Sequence, residues 1–368
     1  MCRRLITLVW ACIFLLAGCN EPQPVRIGLI AGLSDRGSDF GESVRNGVTL
    51  AVEEQNAAGG INGRPIELIV RDDGQDKAQA IKAAQELIAL RPELIIGPVT
   101  SSMATAIVPL MNQAGVVMIS PTVASTNFLS QDDNFFRVNC TTREAAIQHA
   151  RVLFQRGIRH PALAYDASNL PFSGTWTDAF VEEFSRQGGS ISASFGFPSS
   201  GSTRFSSVVS EVLSHRPDAL VFVASTLDTA RLAHQARRLA PHLPLSSSEW
   251  AASGEALSEM GGKAVNGLLM THAYDRTDTR APYSRFRAAF KQRFQREFGS
   301  FSLLAYDTAH VVFVALTKRH GDESVKSALL KNGPYLGVQQ EIRFDAFGDA
   351  TRQVYFTEIR NGNFVQIQ

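Results

Sequence analysis

The sequence predicts an α/β fold of two lobes, each a parallel sheet covered by helices on both faces. Three observations lead there. The chain has 368 residues, more than one ordinary hydrophobic core accommodates and enough for two. From residue 25, apolar runs of strand length alternate with amphipathic helical stretches, the pattern of parallel strands joined by crossover helices. Beyond NFFRVNCTTREAA, at 134–146, the alternation starts afresh.

The elements follow in order. VRIGLIAGL, at 25–33, is a strand, and 41–60 carry helical spacing that stops at Gly59-Gly60, where a left-handed residue is admitted. Asn62-Gly63 marks a turn into a second strand within 61–73. A helix over 76–92 ends at Pro92, because the residue ahead of a proline is kept out of helical geometry. ELIIGP at 93–98 and VVMISP at 116–121 are strands three and four, with a helix between them. In the second half, strands fall at 160–166, 190–197, 218–225 and 243–250, and helices near 172–187, 203–215 and 227–239. GLLMTHAYD at 267–275 leads into two long helices, 282–298 and 303–320. The end departs from this rhythm: 340–349 and 352–367 read as antiparallel strands joined by turns, with Asn361-Gly362 a hairpin signal. Two similar lobes joined by several crossings fit this order better than two beads on a string.

Ahead of the first strand stands MCRRLITLVWACIFLLAGC, residues 1–19. Arg3 and Arg4 precede an apolar stretch too short to span a bilayer comfortably, then small residues, the layout of a secretory leader. Its end, Leu16-Ala17-Gly18-Cys19, resembles the bacterial lipobox, in which the cysteine is acylated and becomes the new N-terminus. Cys19 is therefore the expected lipidation site and membrane anchor. A plain leader with an incidental cysteine, or a twin-arginine signal, is the alternative. Without the leader, the 36 Lys and Arg fall by two to 34, against 35 Asp and Glu, and a net charge of −1 gives nucleic acid no basic face to bind. Of four cysteines, two leave with the leader and Cys19 takes lipid, so Cys140 has no intrachain disulfide partner.

Chemistry concentrates where the strands end. IIGPVTSS, at 95–102, stops an apolar run in the hydroxyls of Thr100, Ser101 and Ser102 and restarts as a helix running to Gln113. In open α/β sheets, ligands bind beyond the carboxyl ends of strands, where the next helix offers unpaired N–H groups. Ser101 is expected at the N-cap, where it serves as a cap, as part of an anion seat, or as both. A second cluster, SPTVAST, follows the neighbouring strand and brings Thr122 and Ser125 toward the same crevice. A third tip, SSSEW, supplies Glu249 beside Trp250. Alone, such a glutamate is a solvated surface residue, whereas beside a carboxylate seat it would hold an ammonium. Gly-x-Ser-x-Gly, His-Glu-x-x-His, a phosphate-binding glycine loop and cysteine pairs at metal spacing are all missing. His149, His234 and His310 sit in helical patterns as packing or solvated residues, so no catalysis, cofactor or metal is expected.

In this order, residues 27–73, IIGPVTSS, VVMISPTVAS at 116–125 and LLAYDTAHVVFVAL at 303–316 resemble the type I periplasmic binding proteins of ABC transporters, specifically the leucine/isoleucine/valine-binding group. The resemblance covers essentially the whole mature chain. It implies two Rossmann-like lobes joined by three hinge crossings that close on a small ligand, with lobe 1 spanning 24–141 plus 273–345 and lobe 2 spanning 142–272 plus 346–368. It implies that Ser101, Thr122 and Ala124 hold an α-carboxylate, with Ser102 and Ser125 beside them, and that Glu249 meets the α-ammonium. Phe40 and Tyr306 match pocket aromatics, Phe172 is a substitute for another, and Trp250 abuts the site. Two departures bear on the ligand: the family usually has threonine at the position of Ala124, and Gln75 and Thr100 replace a disulfide of the prototype. The implied function is an extracytoplasmic lipoprotein that carries an amino acid of branched-chain type, or a small amide or carboxylate, to ABC permease subunits. The alternatives are a ligand-sensing receptor domain for a signalling partner and an unusual lipoprotein enzyme.

Overall fold

The computed structural model describes residues 23–34, 38–252 and 255–367, so the leader and Cys19 lie outside the described residues. A first sheet runs β2 (Ile66–Asp72), β1 (Val25–Ala31), β3 (Leu94–Ile96), β4 (Met118–Ser120), β5 (Phe135–Arg137), all parallel. Its central strands are apolar without alternation because helices cover both faces, and β1 is buried at every residue but Arg26. Helices α1 (Ser38–Ala57), α2 (Lys77–Ala89) and α3 (Ser101–Ala114) provide the crossovers. Asp76 caps α2 by accepting from Gln79 N at 2.9 Å, and Gly115, at φ 68°, closes α3 in the left-handed region.

The second sheet runs β14 (Asn363–Gln366), β13 (Tyr355–Arg360), β10 (Leu269–His272), β9 (Leu245–Ser247), β8 (Leu220–Val223), β6 (Ala162–Asp166), β7 (Ala193–Phe197). Strands β6 to β10 are parallel and repeat the first sheet's order, with β6 in the place of β1. In both lobes, successive crossovers therefore diverge beside the first strand, leaving a crevice at the carboxyl ends. Helix α4 (Thr142–Gln155) leads into this sheet, and the crossover helices are α5 (Leu170–Arg186), α6 (Phe205–Ser214) and α7 (Thr226–Leu239), followed by the short α8 (Ala256–Gly261). A capping box starts α4: Glu144 N donates to Thr141 Oγ1, and Thr141 N donates to Glu144.

The chain passes between the sheets after β5, again after β10, and a third time before β13. Between the second and third passages lie α9 (Ala281–Phe294), α10 (Ser300–Lys318), α11 (Val325–Lys331) and a small antiparallel pair, β11 (Tyr335–Leu336) with β12 (Glu341–Ile342). By length and composition α10 could cross a membrane, but it is a core helix, buried along most of its length and packed on α1. The passages are tied to one another. Arg352, on the third, donates from Nε to Val138 O on the first at 2.9 Å and from Nη2 to Asp307 of α10 at 2.6 Å, and both ion-pair side chains are 1% exposed. Gln340 donates to Ala273 O on the second passage.

One expectation changes. Of the strand expected at 340–349, only Glu341–Ile342 forms, and it pairs back to β11 rather than with the final hairpin. Asp345 turns the chain there by accepting from Phe347 N and Asp349 N. The final hairpin forms as β13 and β14, with Asn361 at φ 51° and Gly362 at φ 83°, the paired positive angles of a type I′ turn. Strand β5 and helices α8 and α11 carry too few residues for their periodicity to stand out.

Candidate functional site

The tips of β3 and β4 are fastened together: Ser120 Oγ donates to Pro98 O at 2.7 Å and accepts from Val123 N, and Thr122 Oγ1 donates to Val99 O at 2.6 Å. Beyond them lies a small cavity between the lobes. Lobe 1 contributes Phe40 at the start of α1, Val99, Thr100 and Ser101 after β3, and Thr122 after β4. The second lobe contributes Asn169 and Phe172 after β6, and Glu249 and Trp250 after β9. Asn139, on the first passage, and Phe301, on α10, complete the wall.

The apolar part of that wall is an aromatic collar. Phe40 packs on Phe301 at 5.1 Å between ring centroids and faces Trp250 across the cleft at 6.4 Å. Phe172 meets Trp250 edge-on at 5.2 Å. A hydrogen bond also crosses the cleft: Ser102 N donates to Asn169 Oδ1 at 2.9 Å.

Ser101 is not the N-cap. Thr100 takes that position without a side-chain capping bond, because its hydroxyl donates to Gln75 Oε1 at 3.1 Å instead. Ser101 is the first helical residue, 1% exposed, and its Oγ has no hydrogen-bond partner among the described residues. A buried hydroxyl that caps nothing, at a helix start whose first N–H groups have no intrahelical acceptor, is an incomplete set of donors. On the other lobe, Glu249 Oε2 accepts from Trp176 Nε1 at 3.1 Å and from Thr271 Oγ1 at 3.3 Å. Burial pushes the Glu249 carboxyl up to about 7, against the lowering effect of those bonds.

Of the residues singled out from sequence, Ser101, Thr122, Phe40, Phe172, Glu249 and Trp250 come together around this cavity. Ser102 lines an adjoining outer cavity, its amide already committed to Asn169. Ala124, Ser125 and Tyr306 stand outside the cavity wall. Ala124 is core, and its carbonyl accepts from Thr142 N. Ser125 Oγ caps a short 3₁₀ turn by accepting from Asn127 N. Tyr306 donates to Glu54 Oε2 and packs on Phe286 and His310, and it is Phe301, five residues earlier on α10, that reaches the cavity. Asn139, Asn169 and Phe301 were not anticipated. The two asparagines do follow strand tips, the same signal that pointed to Ser101 and Glu249.

A family model for periplasmic binding proteins matches residues 24–363. The Leu/Ile/Val-binding protein BraC3 of Rhizobium johnstonii is 24% identical over 90% of this chain and 90% of its own length. Among solved structures, a leucine-binding protein from Thermotoga maritima is 25% identical with a TM-score of 0.86, covering 94% of this chain and 98% of its own. A branched-chain amino acid transporter substrate-binding protein from Streptococcus pneumoniae, solved with isoleucine, is 23% identical with the same TM-score of 0.86, covering 94% and 100%. With a matching family model across nearly all the described chain and two like-ordered sheets facing each other over one cleft, this chain belongs to the type I periplasmic binding protein family.

Proposed function

We propose that this protein captures an α-amino acid of branched-chain size, or a related small amide or carboxylate, outside the cytoplasm and presents it to an ABC permease. One observation carries the reading: an unpartnered buried hydroxyl at a helix start, Ser101, and a buried carboxylate, Glu249, line one cavity from opposite lobes. The first suits a carboxylate and the second an ammonium. The names of the relatives, which bind leucine, isoleucine and valine, support the same class. A ligand spanning both lobes stabilises only the closed arrangement, so occupancy becomes a shape that a partner can read. In this reading, lobes 24–141 plus 273–345 and 142–272 plus 346–368 swing about the three passages, and nothing is chemically changed.

Titration calorimetry with L-leucine tests it. A charge-assisted hydrogen bond to a desolvated ammonium contributes roughly 1.5–3 kcal/mol, so Glu249→Gln is expected to weaken leucine by about tenfold to a hundredfold. Ser101→Ala is expected to cost less, because the helix-start N–H groups remain. Equal affinity of Glu249→Gln and wild type would overturn the ammonium role. The reading also includes a lipid on Cys19: Cys19→Ser is expected to leave an unprocessed precursor or release the protein from membranes, and normal processing with membrane retention would rule the anchor out.

A further inference from the structure

The outer cavity, larger and more open to solvent, adjoins the inner one and shares Phe40, Thr100, Asn169 and Trp250 with it. Its position is topologically distinctive. Gln75 follows β2, Ser102 follows β3, Asp166 ends β6, Ser199 follows β7 and Ser225 follows β8. The tips of β3, β6 and β8 flank the divergence of crossovers, where open α/β sheets bind ligands, and those of β2 and β7 lie one strand further out. The inner cavity, by contrast, reaches toward the tips of β4 and β9. The tips of β3 and β6 border both cavities, so the two together occupy the double crevice created by the like-ordered sheets.

We propose that the outer cavity is a second subsite of the same cleft, and that the ligand is an amino acid whose side chain passes the Phe40–Trp250 collar and ends in a nitrogen hydrogen-bond donor: an ammonium, a guanidinium or an amide. This rests on the α-amino-acid reading of the inner cavity and replaces the branched-chain size given there with a longer, polar side chain. Past the collar, Met103 is the one further apolar wall residue, and the rest are hydroxyls, carboxamides and a carboxylate. An apolar side chain ending there would strip water from those groups and return no hydrogen bond. Charge sets the sign. Glu249 in the inner cavity and Asp166 in the outer one are carboxylates, and neither cavity has a Lys or Arg in its wall among the described residues. Two donors flanking one carboxylate complement that arrangement, whereas an acidic side chain is repelled by it. Asp166 is 3% exposed and fixed at its strand tip, with Oδ1 accepting from Ser168 N at 2.8 Å and from Ser199 N at 3.2 Å. Burial pushes its carboxyl up to about 6, so a cation beside it would be stabilising. Gln75, tied to Thr100 and Asp73 at its two amide ends, gives this wall a fixed polar surface.

Calorimetric titration of the intact protein with L-norleucine, L-lysine and L-glutamine separates the cases, since norleucine is lysine without its terminal amine. Lysine or glutamine is expected to bind at least about tenfold more tightly than norleucine, the difference one charged or well-placed hydrogen bond makes. Asp166→Asn keeps an oxygen for Ser168 and Ser199. If lysine is the tighter ligand, this variant is expected to weaken it about tenfold and leave norleucine within about twofold; a preference for glutamine that survives the substitution assigns the amide. Norleucine binding as tightly as both polar ligands in wild type overturns the second subsite and leaves the inner seat standing. Failure of all three, and of leucine, to bind overturns the amino-acid seat itself, and the second subsite with it.

Discussion

Glu249 sits 9% exposed with its charge opposed by burial, so the unliganded protein carries a destabilising group in its cleft. The carboxyl rises from an ordinary 4.5 to about 7 in the folded chain. Between those pH values the folded protein keeps a proton that the unfolded chain has released, and stability contributed by the neutral acid is lost as pH rises through that window. Glu249→Gln removes the titration. Unliganded Glu249→Gln is expected to melt above wild type at pH 8, by the equivalent of roughly 1–3 kcal/mol, with the difference shrinking toward pH 4.5; thermal melts at the two pH values check this. An ammonium beside Glu249 draws the proton off, so binding near neutral pH releases protons, measurable as a dependence of the binding heat on buffer. How far such residues could be read from sequence depended on their surroundings. Glu249 and Ser101 follow runs that read as strands in the sequence, whereas Asn139 follows β5, which did not, and Phe301 lies on a helix that is apolar nearly all round, where periodicity picks out no face. Ser101 was legible as a strand-tip hydroxyl, but its shift from cap to first helical residue depends on Gln75 capturing Thr100, a contact between two separate loops.

Helices α1 and α10 set the collar, since Phe40 opens one and Phe301 opens the other. Their closeness depends on Gly47: a Cβ there would stand 2.2 Å from the carbonyl oxygen of Ser302, a backbone atom that moves only with its helix. Gly47→Val is expected to force the pair apart at about 1–3 kcal/mol, read as a lower urea midpoint, and to weaken ligand binding although residue 47 lies outside the wall. Unchanged affinity in a destabilised Gly47→Val would separate collar geometry from helix packing. The α/β order, the five parallel strands of lobe 2 and the final hairpin were legible because each has an apolar run or a turn dipeptide. The segment at 340–349 was misjudged because alternation over so short a stretch cannot say which partner a strand takes.

At the scale of the whole molecule, the two lobes meet through three passages, the first and third joined by one guanidinium. Arg352 and Asp307 form a buried pair, and Asp307 Oδ1 also accepts from Val338 N at 2.7 Å. Removing one partner of such a pair costs about 3–5 kcal/mol, so Arg352→Met is expected to lower the urea midpoint strongly, and a variant as stable as wild type would show that the passages hold without it. The triple threading was foreseen only through the family resemblance, since no local pattern records where a chain returns to a sheet it has left. It also decides what kind of joint this is. One strand between two bodies is a swivel, free to twist and slide; three strands cross-linked side by side behave as a strip that bends about a single axis. In the proposed reading, the cleft therefore opens along one path and shuts along the same one, and each filled molecule arrives at one reproducible outline rather than a family of them.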